Sequence, residues 1–232
     1  MRSKSIEPTL HQESPPAAAI PDFGPLARIY RWMEWFSFGP FLARCRCAFL
    51  NLLSNHSTAL VLGDGDGRFT ARLLRENPLI TIDAVDASCA MLNELRRRIK
   101  SHSHRLQTHV SDARVFLPER RNYDLVVTHF FLDCLTTTEV ESLARRLRSY
   151  ARADAVWVLS DFAVPSGWYG RAVAQPVISF LYRSFGWLTG LEIRHLPNHH
   201  LALTRGGWFL GQQRKNLGGL LVSEIWHVRP RP

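Results

Sequence analysis

The sequence predicts an α/β protein with a mostly parallel sheet covered by helices on both faces. Three observations carry that prediction. Short apolar runs alternate with amphipathic helical stretches from Ala59 to Phe162, and such alternation buries a parallel sheet between two helical layers. A glycine-rich turn, "GDGDG", joins the first run to the first helix of the series. Near the C-terminus the pattern changes: "WFLGQQR" and "GLLVSEIWHV" are joined by "KNLGG" and read as an antiparallel pair.

The elements follow in order. Residues 1–21 have no apolar core of signal-peptide length and read as a disordered leader. Residues 22–57 read as two helices that cover the sheet. Leu26, Ile29, Tyr30 and Met33 share one helical face, Gly39-Pro40 interrupts, and a second helix runs from about Phe41 to Leu53. Residues 58–164 form the core. "ALVLG" is a buried strand, and "RFTARLLRE" is a helix stopped by Asn77-Pro78. "LITIDAVD" is the second strand. Ser88 caps the next helix, whose apolar face is Met91, Leu92, Leu95 and Ile99. "LQTHVSDA" and "YDLVVTHFF" are the third and fourth strands. Thr138 with Glu141 reads as a capping box before Val140, Leu143, Leu147 and Tyr150. "AVWVLSDF" is the fifth strand. Residues 165–207 read as a substrate cover, with a helix from Pro176 to Leu188 and Gly190 past its end. Residues 208–232 are the terminal hairpin. From residue 22 onward the chain reads as one domain.

Composition sets bounds on function. The 232 residues are 46% hydrophobic and 21% charged, enough for one domain with a full core. The net charge of +9 admits nucleic acid, an anionic membrane surface or an acidic ligand as partner, with a solvated basic surface as the plainest account. Cys45, Cys47, Cys89 and Cys134 make neither a disulfide framework nor a metal pair, since Cys-x-Cys lacks the usual two-residue gap. Free thiols in a reducing, cytoplasmic compartment are expected. No apolar run approaches the roughly 20 residues of a membrane span.

The glycine loop is the centre of the functional reading. Ligands of open α/β sheets bind beyond the carboxyl ends of the strands, at the topological switch point. Gly63, Gly65 and Gly67 let the backbone turn sharply and approach a ligand there. The position that would complete a dinucleotide fingerprint is Arg68 rather than glycine, which argues against a nicotinamide oxidoreductase. Asp64 and Asp66 would repel a pyrophosphate at that helix N-terminus. Asp86, ending the second strand, can accept from both hydroxyls of a ribose. Asp112, ending the third, could meet an adenine amino group. A sulfonium nucleoside fits all three positions.

The runs "VLGDGDGRF", "VDASCAML", "SDA" and "YDLVVTHFFLDCL" resemble, in order and spacing, the motif series of class I S-adenosylmethionine-dependent methyltransferases. The likeness covers about Ala59 to Phe162 and is nearest to the small-molecule branch that includes ubiquinone and menaquinone biosynthesis C-methyltransferases. It implies a Rossmann-like three-layer sandwich with a seven-stranded, mostly parallel sheet, a C-terminal antiparallel hairpin and an N-terminal helical cover. It also implies S-adenosyl-L-methionine as cofactor. By the same resemblance Gly63, Asp64, Gly65 and Gly67 line the methionine moiety, and Asp86 holds the ribose beside Ala87 and Met91. Asp112 and Ala113 face the adenine, and Thr128 and His129 border the methyl group. Members often carry an acid two residues before the first glycine, where this chain has Val61. Either Asp64 compensates or the cofactor is held less tightly.

Methyl transfer is an in-line displacement, and positioning supplies much of its catalysis. A base is needed when the acceptor must lose a proton. His129 and Asp133 follow the fourth strand and are the candidates. The alternative for His129 is a strand-end hydrogen bond, and for Asp133 the start of a loop. His199 and His200 have no acidic or cysteine neighbour at metal-ligand spacing and read as a pocket rim, with no metal expected. The absence of a D/N-P-P-Y/F run and of Pro-Cys argues against nucleobase methylation. Tyr30, Trp35, Phe180 and His199 are the candidate substrate contacts, suited to a small aromatic or isoprenoid acceptor. The arginines flanking the Pro176 helix would suit peripheral contact with an anionic membrane. The chain is expected as a monomer or homodimer. Two other functions compete: an RNA methyltransferase, motivated by "ELRRRIKSHSHR", and a cofactor-binding interaction protein without catalysis.

Overall fold

The computed structural model describes residues 39–165, 167, 176 and 196–230. They build a seven-stranded sheet in the order β3-β2-β1-β4-β5-β7-β6. The strands are β1 (Thr58–Leu62), β2 (Thr81–Asp86), β3 (Leu106–Val110), β4 (Tyr123–His129), β5 (Ala151–Phe162), β6 (Trp208–Asn216) and β7 (Leu221–Val228). β1 to β5 pair in parallel, and β7 runs antiparallel between β5 and β6. The described helices are α1 (Gly39–Arg46), α2 (Arg68–Glu76), α3 (Cys89–Arg98), α4 (Thr137–Tyr150) and α5 (His199–Arg205). The chain order reverses between β1 and β4, which makes the carboxyl end of β1 the switch point.

Period-two alternation divides the core into two layers. Ala59, Val61, Leu125 and Val127 point to the face covered by Phe69, Leu73 and Leu95 of α2 and α3. Leu60, Leu62 and Val126 point to the opposite face, where Val140, Leu143, Leu147, Trp157, Trp208 and Trp226 pack. No described helix is long and apolar enough to cross a membrane.

Three expected elements are corrected. The helix expected from Phe41 to Leu53 stops at Arg46, and a 3-10 turn follows at Leu50–Leu52. The Cys45 carbonyl accepts from the hydroxyls of Ser160 and Ser223, both at 3.0 Å, and from the Ala48 N–H. Those bonds tighten the chain and end the α-helix. The capping box of α4 lies two residues earlier than expected: Thr136 is the N-cap and Glu139 reaches back to its N–H at 2.8 Å. "TTTEVE" offers two overlapping registers, and Glu141 is instead engaged by Arg145 and Arg205. The short helix α5, capped by Asn198, has no counterpart among the expected elements. The leader and the Pro176–Leu188 helix lie outside the described residues apart from Pro176 itself.

Candidate functional site

The glycine loop leaves β1 at the switch point. Gly63, Gly65 and Gly67 all take positive φ, at 68°, 57° and 76°. A Cβ on Gly63 would lie 2.5 Å from the Phe131 ring, and one on Gly67 would lie 2.6 Å from Leu95. Both glycines therefore permit close packing. Gly65 differs: among the described residues its Cβ would meet only the Met91 sulfur, at 3.9 Å. Gly65 is thus the most open of the three loop positions among those residues, with Met91 at its side.

The loop acids divide in the same way. Asp64 Oδ2 accepts from the Thr70 N–H at 2.8 Å and the Thr70 hydroxyl at 2.6 Å. Through Oδ2 this carboxylate anchors the first turn of α2. Burial pushes its pKa up to about 6. Asp66 is paired with Arg68 at 3.1 Å and Arg98 at 2.7 Å. Asp86 ends β2. Its Oδ1 accepts from the Ser88 N–H at 2.8 Å, and the Gly65 N–H also donates to the carboxylate. Burial raises its pKa against those two bonds. Ala87 follows at once, and Ser88 caps α3 by accepting from the Met91 N–H at 3.3 Å. Asp112 is engaged by Arg114, which lies 2.6 Å from Oδ2 and also reaches Glu139. Partial burial pushes Asp112 up, but the Arg114 bonds win and hold it below the usual range. Ala113 is buried beside it.

The end of β4 sends neighbouring side chains to opposite faces. Thr128 points into the α4 layer, where its hydroxyl accepts from Trp157 Nε1 at 2.9 Å. Its side chain therefore does not line the rim, contrary to the expectation that it borders the methyl group. His129 points the other way and meets Phe69 edge-on at 4.4 Å. The His129 residue is 3% exposed, and neither ring nitrogen has a hydrogen-bond partner among the described residues. Burial, reinforced by the Arg46 charge, drives its pKa well below the normal value, so the ring is neutral near pH 7. Phe130 then takes φ of 53°, uncommon for a non-glycine residue, with Arg46 5.2 Å above its ring.

The chain turns next through Leu132–Cys134 and brings Asp133 to Asp161 at the end of β5. Asp161 is almost fully buried and accepts from the Phe162 N–H at 2.8 Å. The Asp133 main-chain N–H also donates to it. Burial pushes Asp133 up to about 6, and burial with the Asp133 charge pushes Asp161 well above the usual carboxylate range. Sequence reasoning missed Asp161. The only signal was its place at the end of an apolar strand, a place shared with Asp86.

A second titratable cluster lies on the other side of the sheet. Glu224 of β7 is 0% exposed. It accepts from Gln213 Nε2 at 2.6 Å and Trp226 Nε1 at 2.8 Å. His200 Nε2 lies 2.7 Å from Oε1, and His199 Nε2 lies 3.3 Å from Oε2. Burial would raise the Glu224 pKa, but the histidine and glutamine contacts outweigh it and hold it far below the usual range. The expectation that no acid stands with His199 and His200 is therefore corrected. Strand pairing supplies Glu224 from 24 positions downstream of His200. His199 itself is buried on this cluster rather than exposed on a rim. Tyr30, Trp35 and Phe180 lie outside the described residues.

Beside the glycine loop, a groove of about 500 Å³ is lined by Arg46, Arg68, Arg72, Arg75 and Arg98, with Phe69 and Ile99 as apolar wall.

The parallel sheet with a reversed hairpin places Asp86 at the carboxyl end of β2 and Asp112 two residues past β3. Residues 59–154 match the family model of a methyltransferase domain. Solved structures share the fold. The mitomycin 7-O-methyltransferase MmcR is 13% identical with a TM-score of 0.66, over 89% of this chain and 60% of its own. The CcbJ methyltransferase from Streptomyces caelestis is 14% identical with a TM-score of 0.61, over 81% of this chain and 90% of its own. The N-methyltransferase NodS from Bradyrhizobium japonicum WM9, in complex with S-adenosyl-L-homocysteine, is 15% identical with a TM-score of 0.61, over 84% and 89%. Among curated proteins none matches. The chain thus spans 60% of the length of the mitomycin enzyme.

Proposed function

We propose that this protein transfers a methyl group from S-adenosyl-L-methionine to a small aromatic or isoprenoid acceptor, by in-line displacement. The observation that carries the reading is His129. It is a buried, neutral imidazole with both nitrogens unpartnered, at the strand end next to the switch point. An orphaned polar group of this kind costs about 1–3 kcal/mol, and an acceptor hydroxyl or a water held by it would offset that cost. The cofactor, when bound, supplies an electrophilic methyl on a sulfonium. Gly65 with Met91 and Ala87 would receive the methionine side, Asp86 the ribose hydroxyls, and Asp112 with Ala113 the adenine.

The charges fit a cationic ligand. Asp64, Asp86 and Asp133 are all pushed upward by burial, and a nearby cation favours their ionised form. His129, neutral near pH 7, takes the proton from an acidic acceptor such as a phenol or enol. Asp133, with a pKa near neutrality, is the second candidate for that role. An acceptor of that acidity includes quinone precursors, in keeping with the C-methyltransferase resemblance. The named activities of the structural neighbours, O- and N-methylation, keep hydroxyl and amine acceptors in view.

Calorimetric titration with S-adenosylmethionine, S-adenosylhomocysteine and NAD tests the cofactor half. Saturable binding of the first two with no heat from NAD is expected. Binding of none of them would overturn the reading and leave an interaction protein. A second reading, RNA methyl transfer, draws on the five-arginine groove. RNA affinity falling steeply with salt would favour it.

A further inference from the structure

We propose that His199, His200 and Glu224 form a binding site for one transition-metal ion of the zinc class, between the N-terminus of α5 and β7. The site is separate from the strand-end rim, and nothing in the methyl-transfer reading uses it.

The argument begins with Glu224. An ionised carboxylate with no exposed surface needs a counter-charge. A carboxylate offers about four lone-pair positions. Trp226 Nε1 takes one on Oε2 and Gln213 Nε2 takes one on Oε1. That leaves one position on each oxygen, and each is faced by the Nε2 of a histidine. Two imidazoles thus converge on one carboxylate through the same ring atom.

The His199 contact is unlike a hydrogen bond. Its Nε2 is buried at 3.3 Å from Oε2 and makes no hydrogen bond of acceptable geometry. Tetrahedral zinc with bonds of about 2.1 Å separates neighbouring ligand atoms by roughly 3.4 Å. The His199 to Glu224 spacing already matches that span. His200 at 2.7 Å must withdraw by some tenths of an ångström, and its side chain, 45% exposed, has room to do so. One donor atom from each of the three residues fits within a 4.8 Å sphere of separation.

The surroundings are those of a ligand set. Gln213 and Trp226 orient the carboxylate, as outer partners of metal ligands do. Two nitrogens and one oxygen suit zinc, cobalt, nickel or copper rather than magnesium or calcium. Three protein ligands leave a fourth position, and the exposed edge of His200 opens it to water. Metal ligation uses neutral imidazole, so binding releases any proton that His200 holds.

The full-length protein, stripped with chelator, is titrated with zinc chloride, and separately with cobalt chloride while the visible spectrum is followed. One zinc per chain and the absorption bands of tetrahedral cobalt are expected. His200→Gln should abolish the cobalt bands and the stoichiometric zinc. Gln213→Leu, on an exposed position of β6, should fold normally and bind zinc about 10–100-fold more weakly. Zinc held equally by wild type and His200→Gln would assign it to the free thiols and overturn the proposal. So would zinc held by neither.

Discussion

His129 and His200 are the same side chain in opposite settings. His129 ends β4 against the ring of Phe69, and among the described residues no acid shifts it. His200 opens α5 against the buried carboxylate of Glu224. Burial pushes the first down, and the Glu224 hydrogen bond pulls the second up. Environment, not residue type, sets which form each ring favours: burial keeps His129 neutral, whereas the buried carboxylate favours the protonated form of His200. Around Glu224, its own strand β7 places Trp226, β6 places Gln213, and α5 places the two histidines.

The comparison can be broken by substitution. The largest expected effect is on rate. His129→Asn should lower kcat by about 10²–10⁴ once an acceptor is in hand, with cofactor affinity unchanged in the calorimeter. Equal activity would move the base to Asp133. The next largest is on stability, at the other cluster. Glu224→Leu leaves His200, Gln213 and Trp226 without their partner and should cost roughly 3–5 kcal/mol in urea unfolding. His129→Leu, which removes only unpartnered nitrogens, should be neutral or stabilising in the same experiment. Asp86→Ala follows, with a loss of about 1.5–3 kcal/mol in cofactor binding by titration. An unchanged affinity would remove the ribose assignment.

The smallest effect sharpens the contrast through pH. The folded pKa of His129 is depressed below its unfolded value near 6.5. Its contribution to stability is therefore present above pH 6.5 and lost as pH falls below it, because the unfolded chain binds the proton first. Thermal unfolding followed between pH 7 and pH 5 should show this acid lability reduced in His129→Leu. An unchanged slope would mean that the ring is solvated in solution.

Much of the fold was legible along the chain. The alternation of Ala59, Val61 and Leu60, Leu62 announced a strand buried on both faces, and the glycine loop announced its ligand end. Asp86 and Asp112 were readable because each closes an apolar run. The capping box of α4 was readable only as a type, since "TTTEVE" carries two equal registers. The break after Arg46 was not readable at all, since it depends on hydroxyls of Ser160 and Ser223 more than a hundred residues away.

By itself the sequence determined the strand–helix alternation, the place of the glycine loop and the acids that end β2 and β3. These follow from local periodicity and from residues adjacent in the chain. Tertiary structure alone decided which titratable groups meet. The parallel register that sets His129 opposite Ser160 lets Asp133 reach Asp161. The antiparallel return of β7 delivers Glu224 to His199 and His200. A pKa depends on distance and burial in space, and neither is encoded in separation along the chain.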